Sequence, residues 1–191
     1  MLYVLPNGDV LVAEAATPPQ PGLSQGIMGR LMKLGMWWAG AGVESPNRIT
    51  LLRDADGDGV AETRTAFLTA LNSPFGMALV DDDFYVANTC GVVRFSYRLG
   101  ETTISARGEA VADLPAGPVN IHWVKNILAS ADGRKLYASV GSNSNIGENG
   151  MDAERFPWVM ADGRIVFSQA GISGWNANLG ILDPATGAVA R

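Results

Sequence analysis

Short apolar runs alternate with turn residues along most of the chain, and this pattern predicts antiparallel strands. The clearest signal is an Asn-Gly or Asp-Gly turn followed by a strand-like run. It occurs at residues 6–13, 131–138 and 161–168. These dipeptides adopt the positive φ angles of tight hairpin turns, and β-branched and aromatic residues suit strands. A looser version covers residues 83–88 and 91–95. We therefore expect an all-β protein built from hairpins.

The spacing of the hairpins favours one β architecture. Hairpins occur in β proteins generally, so by themselves they leave the architecture open. Tyr85 and Tyr137, which occupy similar places in two of them, are 52 positions apart. The four-stranded blade of a β-propeller repeats about every 40–50 residues. The chain then holds about three blades, fewer than the roughly four of the smallest closed ring. The expectation is an incomplete β-propeller forming a single domain over residues 1–191.

One segment interrupts the strand pattern. Residues 16–47 begin with a proline-rich stretch and then carry a run of methionines and tryptophans. We expect a long, partly helical insertion loop that lies across one face of the β body. Its apolar stretch, residues 27–41, contains Arg30 and Lys33 and is shorter than the roughly 20 residues that cross a bilayer. No membrane span is predicted.

Composition narrows the class of protein. Hydrophobic residues make up 47% of the chain and charged residues 17%, which excludes a disordered chain. The net charge of −5 argues against a nucleic-acid partner, because such proteins present a basic face. Cys90 is the only cysteine, so neither an internal disulfide nor a cysteine-based zinc cluster can form.

An acidic segment at residues 54–62 has the spacing D-x-D-x-D-G-x-x-E. Alternating carboxylates converge on a hard cation when the chain wraps tightly. The candidate ligands are Asp54, Asp56, Asp58, Glu62 and the main-chain carbonyl of Val60. The segment is not an EF-hand, because its flanks are strand-like and Thr65 stands where the twelfth-position glutamate belongs. Two interpretations stay open, a structural Ca²⁺ site and an acidic, solvated hairpin turn.

His122 is the only histidine. A lone histidine is most often structural and cannot form a multi-histidine metal site. Its ordinary pKa of about 6.5 nevertheless suits a general base near neutral pH.

Several ordered phrases resemble the glucose/sorbosone dehydrogenase family, in particular its L-sorbosone dehydrogenase-like members. They are residues 46–59, 73–79 with 85–88, 122–126 with 132–137, and 140–145 with 148–150. The resemblance runs from about residue 1 to 154. The chain diverges from it over residues 155–180.

The resemblance implies a six-bladed β-propeller of which this chain holds about three blades. It implies pyrroloquinoline quinone (PQQ) and Ca²⁺ as cofactors and a sugar or aldehyde as the small-molecule substrate. It implies that His122 removes the hydroxyl proton as hydride passes to the quinone, and a periplasmic or secreted location. The residues assigned to cofactor binding are Lys125, Asn143 and Asn145. The alternative is that Asn143 and Asn145 simply belong to an ordinary hairpin turn and bind no ligand.

Two other classes of protein stay open. One is a Ca²⁺-dependent propeller hydrolase of the lactonase kind, for which Asn120, Asn143 and Asn145 would be ligands. The other is a non-catalytic propeller used for binding. We expect the chain to be the N-terminal half of a propeller that retains the base and lacks most of the cofactor site, with little activity alone. The sequence does not identify the electron acceptor.

Overall fold

A computed structural model describes residues 1–16, 26–40, 46–114, 116 and 123–140. It also gives the backbone of four short strands beyond residue 140.

Most strands belong to three four-stranded antiparallel sheets. The first sheet contains β1 (Leu2–Val4), β2 (Val10–Glu14), β3 (Arg48–Arg53) and β4 (Thr63–Leu68), in that order. The second contains β5 (Met77–Val80), β6 (Asp83–Asn88), β7 (Gly91–Ser96) and β8 (Glu109–Asp113), again in order. The third contains β9 (Lys125–Ala129), β10 (Leu136–Val140), β13 (Asn178–Leu182) and β14 (Val189–Ala190). The all-β prediction is confirmed.

The remaining elements are a strand pair and a helix. Strands β11 (Trp158–Val159) and β12 (Ile165–Val166) pair with each other. Helix α1 (Gly26–Trp38) lies between β2 and β3, within the segment 16–47. It is the one helix in the part of the chain that the structure describes.

Two of the predicted Gly turns form as expected. The Asn7-Gly8 turn joins β1 to β2, with Gly8 at φ +91° and its N–H donating to the Leu5 carbonyl at 2.9 Å. The Asp132-Gly133 turn joins β9 to β10, and the Gly133 N–H donates to the Ser130 carbonyl at 2.9 Å. The looser hairpin also forms, as β6 and β7. The third predicted turn, at residues 161–164, lies outside the described residues.

Strand β6 separates two hydrophobic cores. Phe84 and Val86 pack into a core shared with the first sheet. Tyr85 and Ala87 pack into a second core shared with β9 and β10. Successive side chains of a strand point to opposite faces, so the unbroken apolar run in β6 is buried on both sides. The second sheet therefore lies between the other two.

An aromatic cluster fills the first of these cores. The ring of Phe84 meets Phe67 edge-to-face at 5.3 Å between centroids, and Tyr3 and Tyr97 at 6.2 and 6.1 Å. Phe67 and Tyr97 also meet edge-to-face, at 5.3 Å. Edge-to-face pairs add to the stabilisation that burial of the rings provides.

The second and third sheets come into backbone contact at Gly76, just before β5. The Gly76 N–H donates to the Lys125 carbonyl at 3.0 Å. A Cβ atom at this position would lie 2.5 Å from the Ile127 nitrogen, closer than atoms can approach. Glycine is required here because the start of β9 packs directly on the backbone before β5.

The antiparallel order places successive connections at alternate ends of the sheets. The end that carries the Asn7-Gly8, Asp81-Asp82 and Asp132-Gly133 turns is called the turn end. The other end, where β9 begins at Lys125 and the β6–β7 connection (Thr89 and Cys90) lies, is called the lysine end. At the turn end, the Arg53 guanidinium donates to both carboxylate oxygens of Asp9, at 2.7 Å each, and to the Gly100 carbonyl at 2.9 Å.

Candidate functional site

Lys125 is the predicted cofactor ligand that the structure describes. It is the first residue of β9 and only 1% exposed. Burial lowers its pKa to about 8, because removal from water penalises the charged ammonium, while the nearby Cys90 favours the charge. Lys125 is therefore a buried amine at the lysine end with a lowered pKa.

His122, Asn143 and Asn145 lie outside the described residues, so the structure does not test their assignment. His122 precedes Lys125 by three positions in the chain. Asn120, considered for a hydrolase, is also outside that set.

Polar groups that sequence reasoning missed surround the β6–β7 connection at the lysine end. The buried Asn88 side chain accepts a hydrogen bond from the Asn72 N–H at 3.2 Å. The Asn72 amide lies 3.5 Å from the Cys90 sulfur. The Thr89 hydroxyl is buried and has no hydrogen-bond partner among the residues that the structure describes. The signal available in the sequence was the polar run that directly follows the apolar part of β6.

A cleft of about 640 Å³ opens beside this group. Its polar wall includes Asn72, Asn88, Cys90 and Asp113, and its apolar wall includes Phe95. An apolar cleft with a few convergent polar groups is the ordinary form of a small-molecule site.

The acidic segment forms the connection between β3 and β4 at the turn end, and its four carboxylates converge. One oxygen from each of Asp54, Asp56, Asp58 and Glu62 lies within 4.8 Å of the others. All four residues are exposed. Among the described residues, no lysine or arginine forms an ion pair with them.

Main-chain N–H groups hold the loop in shape. The Asp54 carboxylate accepts hydrogen bonds from the Gly57 N–H at 2.7 Å and from the Gly59 N–H at 2.8 Å. Both bonds lower the pKa of the Asp54 carboxyl, and the bond from Gly59 has the larger effect. Glu62 accepts from the Ala55 N–H at 2.8 Å. Both glycines have positive φ, which tight wrapping requires.

The fifth predicted ligand, Val60, enters this network through its amide. Its N–H donates to Asp58 at 2.7 Å. Because each carboxylate keeps an oxygen or lone pair beyond these bonds, the loop retains the acceptors that a hard cation needs.

The acidic loop and Lys125 lie at opposite ends of the sheets. Residues 54–62 join β3 to β4 at the turn end, whereas Lys125 begins β9 at the lysine end. The two groups therefore form separate sites.

The chain is thus an all-β protein of consecutive four-stranded antiparallel sheets. It carries the acidic loop at the turn end and the buried Lys125 at the lysine end. Residues 5–168 match the family model described as "Domain of unknown function (DUF7133)", and the chain belongs to this family. No curated protein matches the sequence. Among the described residues, no helix is long and apolar enough to cross a membrane.

A solved structure that the chain resembles is described as "Iodide structure of Trichoderma reesei Carbohydrate-Active Enzymes Family AA12". The two share 14% sequence identity with a TM-score of 0.48, and the match covers 75% of this chain. It covers 30% of the other, so this chain spans about a third of that protein.

Proposed function

We propose that this chain is part of a β-propeller quinoprotein that oxidises a sugar or an aldehyde, with His122 as the general base. The propeller is supported by three antiparallel sheets of four strands, the middle one buried on both faces. The function is supported by the ordered phrases that resemble glucose/sorbosone dehydrogenases. The observation that carries it is Lys125, a buried cation three residues after the only histidine.

Lys125 fits the chemistry of the quinone. PQQ carries carboxylates, and a lysine ammonium can donate charge-assisted hydrogen bonds to a carboxylate. When bound, the quinone supplies the hydride acceptor. His122 would take the substrate hydroxyl proton, for which it must come within hydrogen-bond reach of that oxygen. The same resemblance supports a periplasmic or secreted location.

Titration with PQQ tests this function. We produce the protein with all the sequence that its gene encodes and add PQQ with Ca²⁺. The expected result is a saturable change in quinone absorbance and quinone-dependent reduction of a dye by aldoses or aldehydes. If neither signal appears, the proposal is refuted. Hydrolysis of lactones that needs Ca²⁺ but no quinone would replace it with the hydrolase alternative.

We also propose that the acidic loop binds a structural Ca²⁺. Four exposed carboxylates converge there, and among the described residues no lysine or arginine pairs with them, so a divalent ion would relieve their mutual repulsion. The tight wrapping around Gly57 and Gly59 already places their oxygens together.

Chelation should destabilise the protein if the loop holds Ca²⁺. At a free Ca²⁺ concentration about 100-fold above Kd, binding raises Tm by about 5–10 °C, and a chelator removes this gain. In the double variant Asp56→Asn, Asp58→Asn, the amide oxygens still accept from the main chain but two charges are lost. Its Tm should be insensitive to Ca²⁺. Asp82→Asn, in the β5–β6 turn, is the control and should respond like the wild type. A wild-type Tm that ignores chelator would identify an empty turn.

A further inference from the structure

Helix α1 carries an exposed apolar stripe. Ile27, Leu31, Leu34 and Trp38 follow the spacing i, i+4, i+7, i+11, which aligns side chains along one helix face. These four side chains are between 58% and 88% exposed. In a globular protein such a stripe normally faces the core.

One residue on the opposite side of the helix is buried. Gly29 is buried, and at 100° per residue it lies roughly opposite the stripe. Met36, on the same side as Gly29, is less exposed than the stripe residues. Outside the stripe, Met32 and Trp37 are also exposed, at 57% and 70%.

The charges of the helix have a single sign. Arg30 and Lys33 are its only charged residues, and both are exposed. Within the described ranges, neither forms an ion pair. The whole chain carries a net charge of −5, so this helix is a basic segment on an acidic protein. Its charge is complementary to an anionic surface.

We propose that α1 binds the surface of a bilayer that contains anionic lipids and lies in the plane of that surface. A helix of 13 residues is about 20 Å long, too short for the roughly 30 Å hydrocarbon core. An apolar face with Trp and Leu, flanked by basic residues, is the composition of helices that lie at the lipid–water boundary. Trp37 and Trp38 suit that boundary, because indole rings concentrate there.

A second copy of the chain is a poorer occupant. The stripe's four side chains can bury only a few hundred Å², below the roughly 800 Å² per partner of a stable interface. A coiled coil needs about three or four heptads, and 13 residues supply fewer than two. Paired copies would also bring Arg30 and Lys33 of each helix close to like charges.

Vesicle binding tests this proposal. Sedimentation with vesicles of phosphatidylcholine and phosphatidylserine should recover the protein, with a blue shift of tryptophan fluorescence. Pure phosphatidylcholine vesicles and high salt should each weaken recovery. The variant Leu34→Ser, Trp38→Ser should bind about tenfold or more weakly, because it loses apolar area. The variant Arg30→Glu, Lys33→Glu should lose the preference for phosphatidylserine.

The controls separate lipid binding from folding and from self-association. Leu99→Ser removes an exposed apolar side chain from a turn and should bind like the wild type. The helix variants should keep the wild-type Tm, because their substituted side chains are exposed. Equal binding of wild type and Leu34→Ser, Trp38→Ser would overturn the proposal. So would dimerisation without lipid that this variant abolishes.

Discussion

Phe84→Ala is expected to lower the free energy of unfolding by about 3–5 kcal/mol. Phe84 is fully buried, and its ring contacts three other aromatic rings from both the first and the second sheet. The substitution removes this burial and leaves a cavity whose walls are backbone-fixed strands that cannot close over it. A loss of this size is a large share of the roughly 5–15 kcal/mol that stabilises an ordinary domain.

Urea unfolding measures this effect. The midpoint should fall with little change in the slope of the transition, since the surface exposed on unfolding stays similar. Leu128→Ala, which shortens an exposed side chain on β9, is the matched control and should stay within about 0.5 kcal/mol of the wild type. Equal midpoints for Phe84→Ala and Leu128→Ala would contradict the packing described for the first core.

Substitutions of the two residues assigned to the proposed quinone reaction should have different effects on turnover and on PQQ affinity. His122→Ala is expected to lower kcat by about 100-fold or more, because a positioned general base contributes about that much. Its affinity for PQQ should stay near that of the wild type. Lys125→Met should instead weaken PQQ binding by roughly 10- to 100-fold, as expected for loss of a charge-assisted hydrogen bond.

Quinone titration and turnover at saturating quinone separate these effects. Lys135→Met, an exposed lysine beside the Asp132-Gly133 turn, should change neither quantity and serves as the control. Unchanged turnover in His122→Ala would remove the histidine from the reaction. Unchanged PQQ affinity in Lys125→Met would remove the lysine from the cofactor site while leaving the base assignment intact.

The local structure of the chain was predictable where one residue type determines the backbone. Asn7-Gly8 and Asp132-Gly133 form turns because glycine tolerates positive φ, and the strands follow from alternation and β-branching. The convergence of the acidic loop follows from carboxylate spacing within one short segment.

Features that depend on contacts between distant segments were not predictable from the sequence. Nothing around Lys125 signals that its side chain is buried, because burial comes from sheets far away in the chain. The close approach at Gly76 likewise needs the backbone of β9. The separation of the acidic loop from Lys125 follows from strand order, which hairpin signals alone do not supply.

The burial of β6 on both faces also fixes its register. A shift by one residue would exchange the side chains of the two cores and place Tyr85 where Phe84 now meets three rings. Tyr85 would then lose its hydrogen bond with Arg94. A register shift of β6 would therefore disrupt packing in both cores, whereas in a sheet with one solvated face it would disrupt only one. The fixed register holds the β6–β7 connection, Thr89 and Cys90, at the lysine end.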